Sequence, residues 1–455
     1  MIVVLLFTLL FNVTPVFAAD GEAAASGISG GTGSEESIRL ATIRYGTETE
    51  IASLIQALHS EGSDYLDDEL ITLAGTTRNR NILKGVFTFF GERAKGGLED
   101  RAIRAIEERD EETSDTILAA ADYLGKVKAG NATDTLKELI DTNERRFMGA
   151  AIRALGRAGG GKGADDTAEY LIDLFSNPET AEEFRREIIS ALGETLSKKG
   201  VSFLSDFAAN SEERAVLRIS ALESLAKIGD DEGLESILSA AADTDPNVRS
   251  AAVTALGPFQ GAAVDKVILE AFRDGYYRTR IGAAQASRER KLTEAVPYLK
   301  YRAEKDDVPA VKDESLRALG AIGNQEAVAA LDTLFTERKT PDRVRIISAE
   351  MLMKNDPDNY LDRLIVELDE AKSKNQIPLY NGFLKVIGEA KTGKLDDLTR
   401  RFLSSGGIIE KSYALDMAAN NGFKNLSGEI KPLTEDKNAG LARKAKVTLE
   451  KLGIE

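Results

Sequence analysis

The chain has 455 residues, 59 basic against 75 acidic side chains, a net charge of −16, one histidine (His59), and neither cysteine nor tryptophan. Disulfides, thiolate metal sites and a cysteine nucleophile are therefore excluded, and a chain of this sign is repelled by phosphate backbones and anionic lipid, which argues against nucleic acid as a partner. Alanine, leucine, glutamate and lysine dominate and aromatics are 6%, which favours helix over strand, while the length fits either several globular domains or one long repeat array.

Residues 1–18 (MIVVLLFTLLFNVTPVFA) form an apolar run ending Val16-Phe17-Ala18, with small residues where signal peptidase requires them. They read as a cleaved signal peptide, although no Lys or Arg precedes Arg39 and the basic n-region is missing. The competing reading is an uncleaved anchor. Against it, the run is shorter than the ~20 residues of a spanning helix, and Asn12, Thr14 and Pro15 interrupt it. Residues 19–37 are rich in Gly, Ser and Ala and read as a flexible leader.

From residue 38 onward the strongest signal is an internal repeat. An apolar residue, usually Leu and often followed by Gly, closes an amphipathic stretch at Leu155, Leu192, Leu225, Leu256, Leu319, Ile387 and Leu452. Weaker copies stand at Ser287, Leu352 and Ala418, and successive anchors are 31 to 37 residues apart. Copies before residue 113 are irregular, and the 45 residues between Tyr45 and Phe90 leave room for one more helix pair around Leu66 to Ala74. Each unit reads as two helices. In one, Val248, Ala252, Val253 and Leu256 share a face of helix A, and Val264, Val267, Ile268 and Phe272 share a face of helix B. Pro246, Pro309, Pro341 and Pro378 fall where a helix A begins, and Gly159, Gly229, Gly323 and Gly422 where one ends. Such units cannot bury their apolar faces alone and must stack.

A charge pattern runs through the same units. Seven residues before the anchor stands Arg185, Arg218, Arg249, Arg280, Lys312 or Arg345, and six residues before five of these stands an acid, Glu179, Glu212, Asp243, Asp274 or Asp306. With the stretch Asp243-Thr-Asp-Pro-Asn-Val-Arg-Ser-Ala-Ala-Val-Thr-Ala-Leu-Gly257 and the helix-B opening Ala295-Val-Pro-Tyr-Leu299, the chain resembles the bacterial HEAT-like repeat family, clearly over 113–455 and more loosely before. The resemblance implies an all-α fold, a right-handed α-α superhelix of about twelve helix pairs. It also implies a ladder in which these acids and bases link neighbouring units, with Asp243–Arg249, Asp274–Arg280 and Asp306–Lys312 as its pairs.

Chemistry is hard to find. HEAT enzymes with a di-iron centre use repeated His-Glu pairs, and here His59 is followed by Ser60 with no second histidine. HEAT-like base-excision proteins use a basic face and aromatic platforms, which the net charge and the absence of Trp oppose. The resemblance to chromophore lyases with HEAT-like repeats is generic, and no residue carries it over. The carboxylate pairs Asp67-Asp68, Asp165-Asp166, Asp306-Asp307 and Asp396-Asp397 fit solvent-facing or N-capping roles. Gly159-Gly-Gly-Lys-Gly163 lacks both the preceding strand and the Ser or Thr of a phosphate loop, and fits the turn between helices A and B. No catalytic, cofactor or metal site is expected.

One stretch departs from the background. Between Ala271 and Lys305 nine basic residues face four acids, a local +5, and the repeat anchor reads Ser287-Arg288 in place of Leu-Gly, for which packing offers no reason. Tyr276, Tyr277, Arg278, Arg288, Arg290, Lys291, Tyr298, Lys300, Tyr301 and Arg302 are the candidate contact patch for an acidic protein partner, since Tyr and Arg are enriched at binding hot spots. The alternative is that these long side chains only cover an edge of the array. The expectation is an exported, periplasmic or extracellular, monomeric scaffold with no membrane span after signal cleavage, binding through a surface lined by helices B. An enzyme or accessory subunit with an all-oxygen site and a structural spacer in an envelope assembly are the rival readings.

Overall fold

The computed structural model describes residues 35–454. The expected signal segment and the leader as far as residue 34 lie outside the described residues. Among those described, twenty-six α-helices and no strand occur, and the chain is an all-α HEAT solenoid. It divides into two compact units, one ending at Leu73 and one beginning at Ala74. In the first, α1 (Glu35–Tyr45) lies against α2 (Glu48–Glu61), and Arg39 donates to Glu61 at 2.6 Å. Thr47 caps α2 in a reciprocal capping box with Glu50. Helix α3 (Asp67–Thr76) runs across the boundary.

The second unit is a succession of A–B helix pairs. They begin with α4 (Arg80–Glu92) and α5 (Glu99–Glu107), α6 (Ser114–Lys126) and α7 (Thr133–Asp141), α8 (Arg145–Ala158) and α9 (Ala164–Ser176). Next come α10 (Arg185–Thr195) and α11 (Val201–Ala209), α12 (Ala215–Ile228) and α13 (Leu234–Ala240), α14 (Pro246–Ala255) and α15 (Ala262–Ala271). Then follow α16 (Tyr277–Arg290) and α17 (Val296–Lys305), α18 (Pro309–Ile322) and α19 (Gln325–Thr336), α20 (Asp342–Asn355) and α21 (Pro357–Ser373). The last pairs are α22 (Ile377–Glu389) with α23 (Asp396–Ser405) and α24 (Ile408–Asn421) with the short α25 (Ser427–Ile430); α26 (Ala439–Lys451) closes the array. These eleven pairs and a final A helix agree with the repeat period.

Each A helix packs on the A helices before and after it, and the B helices from α5 to α23 each pack on the A helix of the next unit. Burying the anchors in this interlock drives the stacking: Leu155, Leu192, Leu256 and Leu319 are wholly excluded from solvent. The glycine after the anchor lets adjacent A helices touch. A Cβ on Gly156 would lie 2.7 Å from the Cα, Cβ and carbonyl oxygen of Ala191, and one on Gly125 2.8 Å from the Cα of Ala154. Helix ends follow the expected punctuation. Gly229, Gly323 and Gly422 end α12, α18 and α24 in the left-handed conformation, whereas Gly159 ends α8 with φ −80° and needs no glycine on that account. The Gly-rich segment 159–163 is indeed the turn from α8 into α9.

Candidate functional site

The charged ladder exists with a different register from the expected one. Arg249 donates through Nε to the Asp274 carboxylate at 2.9 Å, and reaches Asp243 only at its backbone carbonyl, at 2.8 Å. Arg280 grips Asp306 with Nε and Nη2, both at 2.8 Å, and donates through Nη1 to the Asp274 carbonyl at 3.0 Å. Arg218 donates to Asp243 at 2.6 Å and to the Ala208 carbonyl at 2.9 Å; Arg345 donates to Glu367 at 2.6 Å and to the Phe335 carbonyl at 2.9 Å. Arg249 and Arg280 thus tie the turn before their own helix to the acid of the following turn, while Arg218 and Arg345 tie the end of the preceding B helix to Asp243 of the following turn and to Glu367 of α21. The same-turn carboxylate pairs Asp243–Arg249 and Asp274–Arg280 do not form; each carboxylate instead closes a turn by accepting from the backbone N–H two residues on and faces the arginine of the preceding A helix. Asp243 accepts from the Asp245 N–H, Asp274 from that of Tyr276 and Asp306 from that of Val308.

The ladder does not extend to every expected position. Lys312 contacts the Glu304 carbonyl at 3.5 Å in place of Asp306, and Arg185 lies over the Phe175 ring at 5.0 Å. Glu179 and Glu212 remain exposed, with their backbone N–H groups donating to Asn177 and Asn210. Burial pushes the carboxyl pKa values of Asp243, Asp274 and Asp306 up, but the hydrogen bonds and arginine charges outweigh it and hold all three below the usual carboxylate range.

The ten residues of the expected contact patch are not brought together. Helix α16 has 14 residues, so its ends are ~20 Å apart at 1.5 Å per residue. Tyr276, Tyr277 and Arg278 stand at its N-terminus, Arg288, Arg290 and Lys291 at its C-terminus, and Tyr298, Lys300, Tyr301 and Arg302 belong to α17. The Arg290 side chain is only 4% exposed and pairs with Asp265 of α15, so it is no surface contact. Arg288 stands where α8, α10 and α18 have glycine, and it meets the largely buried Glu314 of α18 at 2.9 Å. The broken anchor therefore has a packing reason after all: a charge pair replaces a glycine abutment. Tyr298 stacks on Phe272 at 5.7 Å beneath Arg273, while Tyr301 is 58% exposed beside Arg302.

One part of the patch borders a groove that the sequence did not reveal. It crosses α12, α14 and α16 on the faces of the A helices turned away from the core, with a volume of about 960 Å³. The row Asn247, Ser250, Ala251 and Thr254 lines it at helical spacing, opposite the buried row Val248, Ala252 and Val253. Val216, Ile219 and Pro258 add apolar surface, and Val216 is 43% exposed. Arg278 lines its edge, its Nε on the Tyr277 hydroxyl at 3.2 Å, while Tyr276 packs edge-on against Tyr277 and donates to Asn247 at 2.8 Å. This groove lies on the A row, where the expectation had placed binding on helices B. Small residues at the A-helix surface positions open it, and only a comparison of the same position across units would have pointed there.

Among the described residues no group of three or more His, Asp or Glu side chains is placed to hold a metal ion, and no helix is long and apolar enough to cross a membrane. His59 is exposed on α2.

The sequence profile described as "Spirochaete HEAT repeat protein" matches residues 43–448. Searched against curated proteins, the chain finds no match. Among solved structures, that of Kap121p is similar with 14% identity and a TM-score of 0.44, over 91% of this chain and 53% of that one. The chain therefore spans about half the length of that protein. YibA of Escherichia coli aligns with 17% identity and a TM-score of 0.37, over 56% of this chain and 95% of that one. The CpcE–CpcF complex of phycocyanin lyase from Nostoc aligns with 15% identity and a TM-score of 0.34, over 63% of this chain and 94% of that one.

Proposed function

The chain belongs to the Spirochaete HEAT repeat protein family, and we propose that it is a non-catalytic scaffold, exported and monomeric, that holds a segment of another protein in the groove across α12, α14 and α16. The observation that carries this reading is the groove itself. Its floor of small and hydroxylated residues lets a polypeptide backbone approach, and Val216, Ile219 and Pro258 offer apolar contact. The tyrosine pair at its edge adds rigid contact area at low entropic cost. Arg278 meets no carboxylate, and Glu223 and Glu289 along the same groove meet no cation, among the described residues. The segment recognised therefore carries both signs of charge, in place of the purely acidic partner suggested by the local +5.

Affinity capture from the native envelope fraction tests this, with the wild-type chain beside Ala251→Arg, which fills the groove floor, and Val366→Arg on the exposed face of α21 as control. Ala251→Arg should lose at least roughly tenfold of the captured partner, as central interface substitutions do, while Val366→Arg retains it. Equal capture by both variants rules out the groove. Intact mass of the exported chain tests the localisation: a mature form starting at Ala19 is expected, and a membrane-bound chain retaining Met1 would refute cleavage.

A further inference from the structure

At two surface positions of the repeat, A helices of neighbouring units are joined by a charge pair. The first position lies two residues before Arg345, on α20. There Arg343 donates through Nε to both carboxylate oxygens of Asp313, at 2.9 and 3.1 Å, and Asp313 follows Lys312 on the preceding A helix, α18. The second position lies two residues after the anchor. There Glu194 of α10 pairs with Lys227 of α12 at 2.5 Å. Each pair sets one unit against the next through exposed or half-buried side chains.

Helix α16 carries a charge at both positions, and its neighbours answer neither. Arg278, two residues before Arg280, stands where α20 has Arg343, but the residue after Arg249 on α14 is Ser250, where α18 has Asp313. Glu289 stands where α10 has Glu194, but the matching residues are Ala321 on α18 and Pro258 after α14, and neither is a base. Arg278 and Glu289 are both exposed and both line the groove. They are eleven residues apart, three helical turns, and so share one face of α16. At one end Tyr276 donates to Asn247 of α14; at the other a Cβ on Gly257 would collide with the Glu289 carboxylate. The two helices therefore run in the same sense, and the unanswered charges stand at opposite ends of the groove. Lys227, the cation at the Glu289 end, is already held by Glu194.

Resting on the reading that this groove holds a protein segment, we propose that the segment is extended and supplies the two charges α14 lacks: an acid that pairs with Arg278 above Ser250, and a base, four residues away along the segment, that pairs with Glu289 above Pro258. Ser250 and Pro258 are eight residues apart, roughly 12 Å at the helical rise, and four residues of extended chain cover roughly 13 Å. An even spacing also sends both side chains to the same side of the segment. An extended segment leaves its backbone N–H and C=O groups to be paired, and Asn247, Ser250 and Thr254 offer polar groups along the groove. A helix pairs its own backbone and asks for an apolar groove instead. The pairing that the array makes within itself at Arg343–Asp313 and Glu194–Lys227 is here made with the partner.

The experiment selects random nonapeptides displayed on phage against the full chain, with Ala251→Arg as the counter-selection. Peptides retained by the wild type and not by Ala251→Arg should carry an acid and a base four residues apart. In a synthetic copy, replacing either charge by an amide should weaken binding roughly two- to fivefold, the worth of an exposed ion pair. Ser250→Asp gives Arg278 the partner that Arg343 has, and should remove the selection for the acid while keeping that for the base. Pro258→Lys gives Glu289 a base and should do the reverse, so each half of the proposal has its own variant. Groove-dependent peptides without the four-residue pairing, or the same peptides selected by wild type, Ser250→Asp and Pro258→Lys, would overturn this inference and leave the groove reading in place. No peptide that distinguishes the wild type from Ala251→Arg would overturn both.

Discussion

Arg280→Ala is the sharpest test of the ladder. The Arg280 side chain is 8% exposed and that of Asp306 is fully buried, and the two make a two-point contact at 2.8 Å on both arms. Removing the guanidinium also strips the Asp274 and Gly275 carbonyls of a donor, at 3.0 and 3.3 Å. What remains for Asp306 is the Val308 N–H at 3.0 Å and Arg302 at 3.4 Å. Stranding a buried carboxylate in this way costs about 3–5 kcal/mol, where a surface pair would cost under about 1 kcal/mol. Asp306→Asn keeps an acceptor for the Val308 N–H and removes the charge, so the double variant should recover part of the loss, by about 1–2 kcal/mol. The pH dependence has a definite sign. In the wild type Asp306 is held below the usual carboxylate range, so its contribution is present at neutral pH and lost as pH falls through its folded pKa. In Arg280→Ala the Val308 N–H and Arg302 still favour the charged form, but burial meets less opposition and the pKa rises, so the deficit of the variant should narrow between neutral pH and about pH 4. Urea unfolding of wild type, both single variants and the double variant at the two pH values measures all of this. A loss below 1 kcal/mol, or a deficit that widens in acid, would refute the assignment.

Gly156→Ala should separate α8 from α10, because its Cβ would meet backbone atoms of Ala191 at 2.7 Å; a cost of about 1–3 kcal/mol and faster hydrogen exchange in both helices are expected, against no change if the contact is loose. Burial works to raise the pKa of Glu410, but Lys372 at 2.8 Å and the Tyr380 hydroxyl at 2.7 Å outweigh it and lower it to about 2. Its stabilisation, on the order of 3 kcal/mol, is therefore complete above the ordinary carboxylate pKa and lost as pH falls towards 2, and Glu410→Gln should flatten the acid limb of the stability curve. Arg288→Glu should lower the melting temperature by setting like charges against Glu314 across α16 and α18, and a variant as stable as wild type would return Arg288 to the role of a free surface contact.

The fold was legible because stacking depends on residues that recur. A buried anchor every 31 to 37 residues, glycine beside it and proline at helix starts each have one structural use, and the described helices follow them. The ladder residues were legible as types and not as pairs. An acid and a base six residues apart invite pairing, but the carboxylate closes its own turn by accepting a backbone N–H, and the arginine reaches the acid 25 residues on. That second spacing, 25 for Arg218 and Arg249 and 26 for Arg280, is nearly regular over three units and would have given the register there, whereas Arg345 reaches Glu367 22 residues on. Of the ten-residue patch, Arg290 is buried against Asp265 and Arg288 pairs with Glu314, uses that a count of local charge does not distinguish from free surface contacts. The groove depends on what is small across neighbouring units, which a search for enriched residues passes over.

The central claim is that the A-row groove holds a protein segment. A photo-reactive amino acid placed at Ala251, and separately at Val366 on α21, tests it in the cells that make the protein, with and without Arg278→Glu in the same chain. The account predicts one discrete crosslinked species from position 251, diminished by Arg278→Glu, and none of that species from position 366. Crosslinking of the same species from position 366, or none from position 251, would contradict it.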